Sequence, residues 1–224
     1  MTVSIITVCY NSSQTIADTL QSIRQQDYPH IESIVVDGGS TDGTMNMVAQ
    51  YADVVTKSVS EPDKGIYDAM NKGLTMATGD IIGILNSDDM MASPHSISQI
   101  VAAFREQPNG CVYGDLVYVQ QQNTQQIVRY WKSGKGTARK FYFGWMPPHP
   151  TFYVSRQVLN TCGQYDLRFP VAADYEYMLR VMVKHGVKAV YVPEVLVKMR
   201  LGGYSNQSVN SRKRSFSKIT KHGG

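Results

Sequence analysis

Adjacent carboxylates at the end of a buried strand are the clearest chemical feature of this chain. Asn86-Ser87-Asp88-Asp89 directly follows the apolar run Ile81-Ile82-Gly83-Ile84-Leu85, which places negative charge at the edge of an α/β sheet, where such folds bind ligands. Hard cations take oxygen ligands, and a cation held there would hold a diphosphate in turn. Other acids have a comparable expected placement: Asp37 and Asp42 after the second strand, and Asp63 before the third helix. Asp174 opens a later helical stretch with Glu176 two residues on. Residues two apart on a helix face different ways, so only one of that pair can point into a common site.

The elements that must position these acids follow from hydrophobic periodicity. Val3 to Val8, Ile31 to Val36 and the run ending at Leu85 read as buried strands, with helices expected over 12–26, 44–51 and 64–77 and a short strand over 54–56. Ser93-Pro94 has the arrangement of a capping serine with proline at the first helical position, followed by Ile97, Ile100, Val101 and Phe104 at helical spacing. A strand over 111–119, a Gln-rich hairpin tip over 120–126 and a Gly- and Lys-containing loop over 132–139 come next. The remainder reads as a strand over 149–154, helices near 155–161 and 172–185, and a strand over 187–192. Alternating strands and helices with short loops predict a mostly parallel sheet with the ligand on the loops that follow its strands.

Composition narrows the class. The 224 residues are 42% hydrophobic, enough for one substantial core. The net charge of +4 is concentrated in Arg212, Lys213, Arg214, Lys218 and Lys221, and without that tail it is near zero, so no general nucleic-acid surface is indicated. Cys9, Cys111 and Cys162 are far apart in apolar surroundings, which fits neither a disulfide framework nor a zinc site and points to a reducing cytoplasm. The N-terminus lacks a basic region before its apolar residues, and no run approaches the ~18 apolar residues of a membrane span. No Gly-x-Gly-x-x-Gly follows the first strand and no P-loop occurs, so a nucleotide would have to be gripped by other means.

Six motifs, in order, resemble the family 2 glycosyltransferases of GT-A fold, especially the bacterial subgroup that builds O-antigen and capsule repeats. They are Thr7-Val8-Cys9-Tyr10-Asn11, Val36-Asp37-Gly38-Gly39-Ser40-Thr41-Asp42-Gly43, Asp63-Lys64-Gly65-Ile66-Tyr67-Asp68-Ala69-Met70-Asn71-Lys72-Gly73, Asn86-Ser87-Asp88-Asp89, His149-Pro150-Thr151-Phe152-Tyr153 and Ala173-Asp174-Tyr175-Glu176-Tyr177-Met178-Leu179-Arg180. The resemblance implies one Rossmann-like domain over 1–205, its first part (1–119) holding a nucleotide sugar and its second (120–205) serving the acceptor and catalysis, followed by a basic tail over 206–224. It implies that Tyr10 lies against a nucleobase in a pocket shaped by Thr7 and Val8, and that Asp37 accepts a hydrogen bond from the base, uracil being the family's usual case. Asp89 would ligate Mn²⁺ or Mg²⁺, and Asp88 the ribose or the same metal, although Asn86 stands where the family usually has Asp. Lys64, Asp68 and His149 are expected on the donor, His149 against diphosphate or metal. Asp174, in preference to Glu176, is implied as the general base. The implied acceptor is a lipid-linked oligosaccharide at the inner face of the cytoplasmic membrane, the tail would rest on anionic lipid, and a lid is expected over 202–208.

Each of these residues also has a structural role to set beside the chemical one. Tyr10 could be a core aromatic, Asp37 a turn former before Gly38-Gly39, Asp88-Asp89 a cap for the next helix, and Asp174 a first-turn acid stabilised by the helix dipole. Two other functions compete with glycosyl transfer. A nucleotidyltransferase would be expected to carry a Gly-rich basic loop after the first strand, and Cys9-Tyr10-Asn11-Ser12-Ser13 has neither glycine nor charge. A binding subunit with a dead site would be expected to have lost Asp37, Asp88, Asp89 and Asp174, all of which are present.

Overall fold

The structure, a computed structural model, describes residues 1–202. Strands β1 (Val3–Cys9), β2 (Ile31–Asp37), β3 (Val55–Ser60) and β4 (Ile81–Ile84) alternate with helices α1 (Ile16–Arg24), α2 (Thr44–Ala49) and α3 (Ile66–Met76). The remaining elements are β5 (Met90–Met91), α4 (Ser96–Glu106), β6 (Cys111–Val119), β7 (Ile127–Trp131), α5 (Ala138–Phe141), a 3-10 turn (His149–Thr151), β8 (Tyr153–Ser155), α6 (Arg156–Cys162), α7 (Ala173–Leu179) continued by a π-helical turn (Arg180–Lys184), and β9 (Ala189–Arg200). Among the described residues they form one sheet of order β3-β2-β1-β4-β8-β6-β9-β5, with β7 added beside β6. The first four strands are mutually parallel, β8 runs antiparallel to both β4 and β6, and β9 returns parallel to β6. This is the α/β fold with a mostly parallel sheet expected from the sequence.

Strands covered on both faces need apolar residues at consecutive positions, and β1 is buried throughout. Its Val3, Ile5 and Cys9 join the core beneath α1 and α4, while Ile6 and Val8 point to the other core, beneath α3, α6 and α7. Helix α3 meets β1 at Gly73, where an added Cβ would lie 2.3 Å from Ile6 Cγ2. Gly83 in β4 is covered by the Tyr153 ring on β8, with an added Cβ only 2.2 Å from Tyr153 Cε1. At the opposite end of the sheet from the strand-following loops, buried Glu32 on β2 accepts from Ser4 Oγ (2.5 Å), Lys57 Nζ (2.7 Å), Thr78 N (2.8 Å) and Thr78 Oγ1 (2.7 Å). Burial opposes its charge, but these donors outweigh it and pull the carboxyl down to about 2.

Three local expectations need correction, and one short strand was not expected. Helix α4 begins at Ser96 with His95 before it, because Ser93 and Pro94 are used in a preceding turn in which Ser93 Oγ accepts from the His95 N–H at 3.2 Å. His149–Thr151 is a 3-10 turn, not strand, and β8 starts only at Tyr153; Pro150 has no N–H for a sheet ladder. The last strand runs on to Arg200, through Pro193 and register shifts opposite Tyr113 to Leu116. The two-residue β5, too short for a periodic pattern, pairs with Lys198 and Val197 of β9. The strand at 111–119 and its hairpin to β7 are as expected. The basic tail and, apart from Gly202, the expected lid lie outside the described residues. No helix among the described residues is long and apolar enough to cross a membrane.

Candidate active site

The loops that follow β1 and β2 are tied together residue by residue. Asn11, with a positive φ of 47°, donates its N–H to Ser40 Oγ at 2.8 Å and accepts from the Thr41 N–H at 3.0 Å. Ser12 N donates to Thr44 Oγ1 (2.8 Å) and Ser13 N to Asp42 Oδ2 (2.9 Å). Ser87 Oγ, from the loop after β4, reaches Ser12 Oγ at 2.8 Å. Asp42 thereby serves as a clasp, and its hydrogen bonds from Thr44 and Ser13 hold its carboxyl far below the ordinary carboxylate range. Asp37 is likewise engaged: buried at the end of β2, it accepts from Ser40 N (2.9 Å), Ser60 Oγ (2.6 Å), Cys9 Sγ (3.5 Å) and the Ser40 hydroxyl. Burial pushes its carboxyl up, the Ser40 and Ser60 donors pull it down, and the donors prevail.

Above this knitted floor lies a cavity of about 540 Å³, within the range of small-molecule sites. One wall carries Val8, Tyr10, Asn11 and Ser12; a second Asp63, Gly65, Ile66 and Ala69 from the start of α3; a third Asn86, Ser87 and Asp88 after β4. Gln121, Arg200, Leu201 and Gly202 close it from the second half of the chain. Tyr10 is 66% exposed, so it is no core aromatic; its ring is available to an occupant of the cavity. Gly38 is confined for a related reason: an added Cβ would meet Asp63 Oδ2 at 2.4 Å and Tyr10 Cδ2 at 3.4 Å.

The acids after β4 are under electrostatic tension. Asp89 is fully buried, its Oδ1 has no hydrogen-bond partner, and its other oxygen accepts from Asn86 Nδ2 at 3.5 Å. Desolvation pushes its carboxyl well above the ordinary range, and the neighbouring Asp88 charge adds to the shift. Asp88 is raised by burial too, with Arg200 acting in the opposite direction. Asn86 Oδ1 is also buried without a partner. Arg200 is 5% exposed, donates to the Gln121 carbonyl at 2.5 Å and to Asp18, and keeps its Nε unpartnered. The unsatisfied oxygens of Asp89 and Asn86 suit a hard divalent cation. Among the described residues no group of three or more His, Cys, Asp or Glu converges to hold a metal, so phosphate oxygens or water would have to supply its remaining ligands.

Of the other residues expected from sequence, Thr7 is buried in β1 with an unpartnered hydroxyl, and Lys64 is exposed at the start of α3. Asp68 turns back on its own helix start, accepting from the Lys64 N–H at 3.0 Å. His149 and Asp174 belong to a cluster beside α3: His149 Nε2 lies 2.7 Å from Tyr165 Oη, and Tyr67 Oη donates to Asp174 Oδ1 at 2.9 Å. Burial lowers the His149 pKa while the Asp174 charge opposes that shift. Glu176 is committed elsewhere, to Arg180 at 2.7 and 2.9 Å. The cavity thus brings together Val8, Tyr10 and Asp88, with Asp89 and Asp37 behind its walls, and Asp174 and His149 stand in a separate group.

Arg200 and Gln121 have no local motif to announce them. The sequence shows only an arginine shortly before Gly202-Gly203, and its partner Asp18 is remote in sequence. Asp63 was visible as a loop acid, and the structure adds that it lines the cavity.

Residues 4–161 match the family described as Glycosyl transferase family 2. A PGL/p-HBAD biosynthesis glycosyltransferase of Mycobacterium bovis is 28% identical over 212 residues, covering 92% of this chain and 80% of that protein. S. aureus TarS 1-349 in complex with UDP superposes with a TM-score of 0.71 at 20% identity, over 90% of this chain and 61% of that one. The mannosyltransferase PcManGT from Pyrobaculum calidifontis, in complex with GDP-Man and Mn2+, gives 0.73 at 22%, over 99% and 65%. The chain therefore spans less than two thirds of either solved protein, and at these identities the likeness shows the shared GT-A fold. With the matched region running from β1 through the knitted floor and three walls of the cavity into α6, this chain belongs to glycosyltransferase family 2.

Proposed function

We propose that this glycosyltransferase is an inverting, metal-dependent enzyme that moves a sugar from a UDP-linked donor to a lipid-linked oligosaccharide in bacterial surface polysaccharide synthesis, at the cytoplasmic face of the inner membrane. The observation that carries the reading is the cavity itself, with an exposed Tyr10 ring on one wall and Asp88, backed by the unsatisfied Asp89, on another. A base stacked on Tyr10 leaves its diphosphate to reach toward the acids. The comparisons lend support to the donor class, since TarS was solved with UDP and PcManGT with GDP-Man and Mn2+. Residues 1–119 would hold the donor, with Thr7, Val8, Asp37, Lys64 and Asp68 shaping its site, and 120–205 would serve the acceptor.

Asp89 and Asp88, with the Asn86 amide oxygen, would hold Mn²⁺ or Mg²⁺, which when bound offsets the charge of the diphosphate leaving group. The residues of the chain do the rest. Asp174 takes the proton of the acceptor hydroxyl, whose oxygen attacks the anomeric carbon as the bond to the β-phosphate oxygen breaks and its electron pair departs with UDP. Tyr67 fixes the carboxylate through its hydrogen bond to Oδ1, leaving Oδ2 for the incoming hydroxyl. His149 would bear on the diphosphate. A single displacement of this kind inverts the anomeric configuration.

Calorimetry with UDP, with and without Mn²⁺, tests the donor site, followed by turnover of a UDP-sugar with the product's anomeric configuration read by NMR. Metal-dependent UDP binding and an inverted product are expected. UDP binding indifferent to Mn²⁺, or a retained configuration, would overturn the corresponding part of the proposal.

A further inference from the structure

Outside the cavity lining, two chain segments that meet both carry exposed apolar side chains. Tyr142 is 76% and Phe143 78% exposed, immediately after α5, and Leu167, Phe169 and Val171 are exposed in the loop before α7. The segments are joined: Tyr175 Oη, in the first turn of α7, donates to the Phe141 carbonyl at 3.0 Å, and the Phe141 and Tyr175 ring centroids are 6.0 Å apart. The same loop leads into Asp174, and the Val171 carbonyl accepts from Tyr67 Oη at 3.4 Å. Exposed apolar side chains gathered this way mark an interaction surface.

The charge around the patch identifies the partner. Lys132, Lys135, Arg139 and Lys140 precede the aromatic pair and are all exposed. No Asp or Glu occurs between Asp115 and Asp166, and Asp166 is itself paired with Arg168 at 2.6 Å. Protein interface cores are depleted in lysine, whereas exposed aromatics flanked by Lys and Arg suit the headgroup region of a bilayer, rings at the acyl boundary and cations among phosphates. We infer that Tyr142, Phe143, Leu167, Phe169 and Val171, with the cations of 132–140, dock this face onto an anionic lipid bilayer. Docking there sets the approach to Asp174 beside the membrane. The inference rests on the reading of a lipid-linked acceptor for its purpose, but its test needs neither donor nor acceptor.

The native cysteines are buried, so a full-length Phe143→Cys variant can be labelled selectively with an environment-sensitive dye. With phosphatidylglycerol-containing vesicles its emission should shift to the blue, and with phosphatidylcholine vesicles far less, since each cation near an anionic surface strengthens binding roughly fivefold. Tyr142→Ser/Phe143→Ser, with the tail intact, should lower sedimentation with the anionic vesicles by about tenfold or more, its circular dichroism melt matching that of the unsubstituted chain. Sedimentation with an unshifted dye would assign binding to the tail at 206–224 and overturn the inference. A blue shift that rises with protein concentration before vesicles are added, together with a dimer in analytical ultracentrifugation, would assign the patch to a second copy of the chain and overturn it equally.

Discussion

Tyr67 on α3 holds Asp174 on α7 through a hydrogen bond of 2.9 Å, while Glu176, two residues on, is held by Arg180. The sequence offered both acids, and the structure separates them by partner. Asp174→Asn is expected to lower kcat by roughly 10²–10⁴-fold with UDP affinity unchanged. Glu176→Gln should act mainly on stability. The reverse pattern in steady-state kinetics would transfer the general base to Glu176.

Tyr10 provides a test in which function and stability part company. Its ring is largely in water, so Tyr10→Ala should change the unfolding free energy by no more than about 0.5 kcal/mol. Loss of base stacking, worth about 1–3 kcal/mol per base, should weaken UDP by roughly tenfold in calorimetry. A variant that binds UDP like the unsubstituted chain would remove Tyr10 from the base site.

Asp89 should show the opposite relation between the two properties. Its folded-state pKa is raised, so its contribution to stability is intact below the ordinary carboxylate pKa and is lost as pH rises through the folded value. At neutral pH the metal-free protein carries that penalty. Asp89→Asn should therefore raise the metal-free melting temperature at pH 7 while abolishing the response of UDP binding to Mn²⁺. Thermal melts and calorimetry on the same preparation check both halves.

Glu32 behaves with the other sign. Its folded pKa is depressed to about 2, so its stabilisation is present above the ordinary carboxylate value near 4.5 and fades as pH falls toward 2. Glu32→Gln should cost on the order of 3 kcal/mol at pH 7 and progressively less in acid, read from urea unfolding across that range. A difference independent of pH would mean that its donors do not stabilise the charged form.

Much of this was legible because strands covered on both faces are written as mostly apolar runs: β1, β2, β4 and β6 stand out for that reason. The 3-10 turn at His149–Thr151 did not, since a short apolar segment with one proline reads equally as strand. Nor did the full reach of β9, whose later residues find partners on β5 and β6 only after the sheet has assembled. At the site, residue types marked the acids but not their division of labour. Asp42 is a clasp and Asp37 is saturated by its own neighbours, whereas Asp89 is left short of partners. Arg200 reaches the cavity by tertiary folding alone, from the opposite end of the chain to Asp18.

The stitching of Asn11, Ser12 and Ser13 to Ser40, Asp42 and Thr44, extended to Ser87, has a consequence for how an occupant enters. Those loops have surrendered their conformational freedom before any ligand arrives, so ordering them adds nothing to the cost of association. The opposing wall, with Gln121 at a hairpin tip and Arg200, Leu201 and Gly202 at the end of β9, is held instead through Arg200, which donates to Asp18 on α1 and to the Gln121 carbonyl. Variants at Gln121 or Leu201, which lie outside the stitched loops, should alter which donors are accepted, whereas loosening the Asp42 clasp should weaken them all alike.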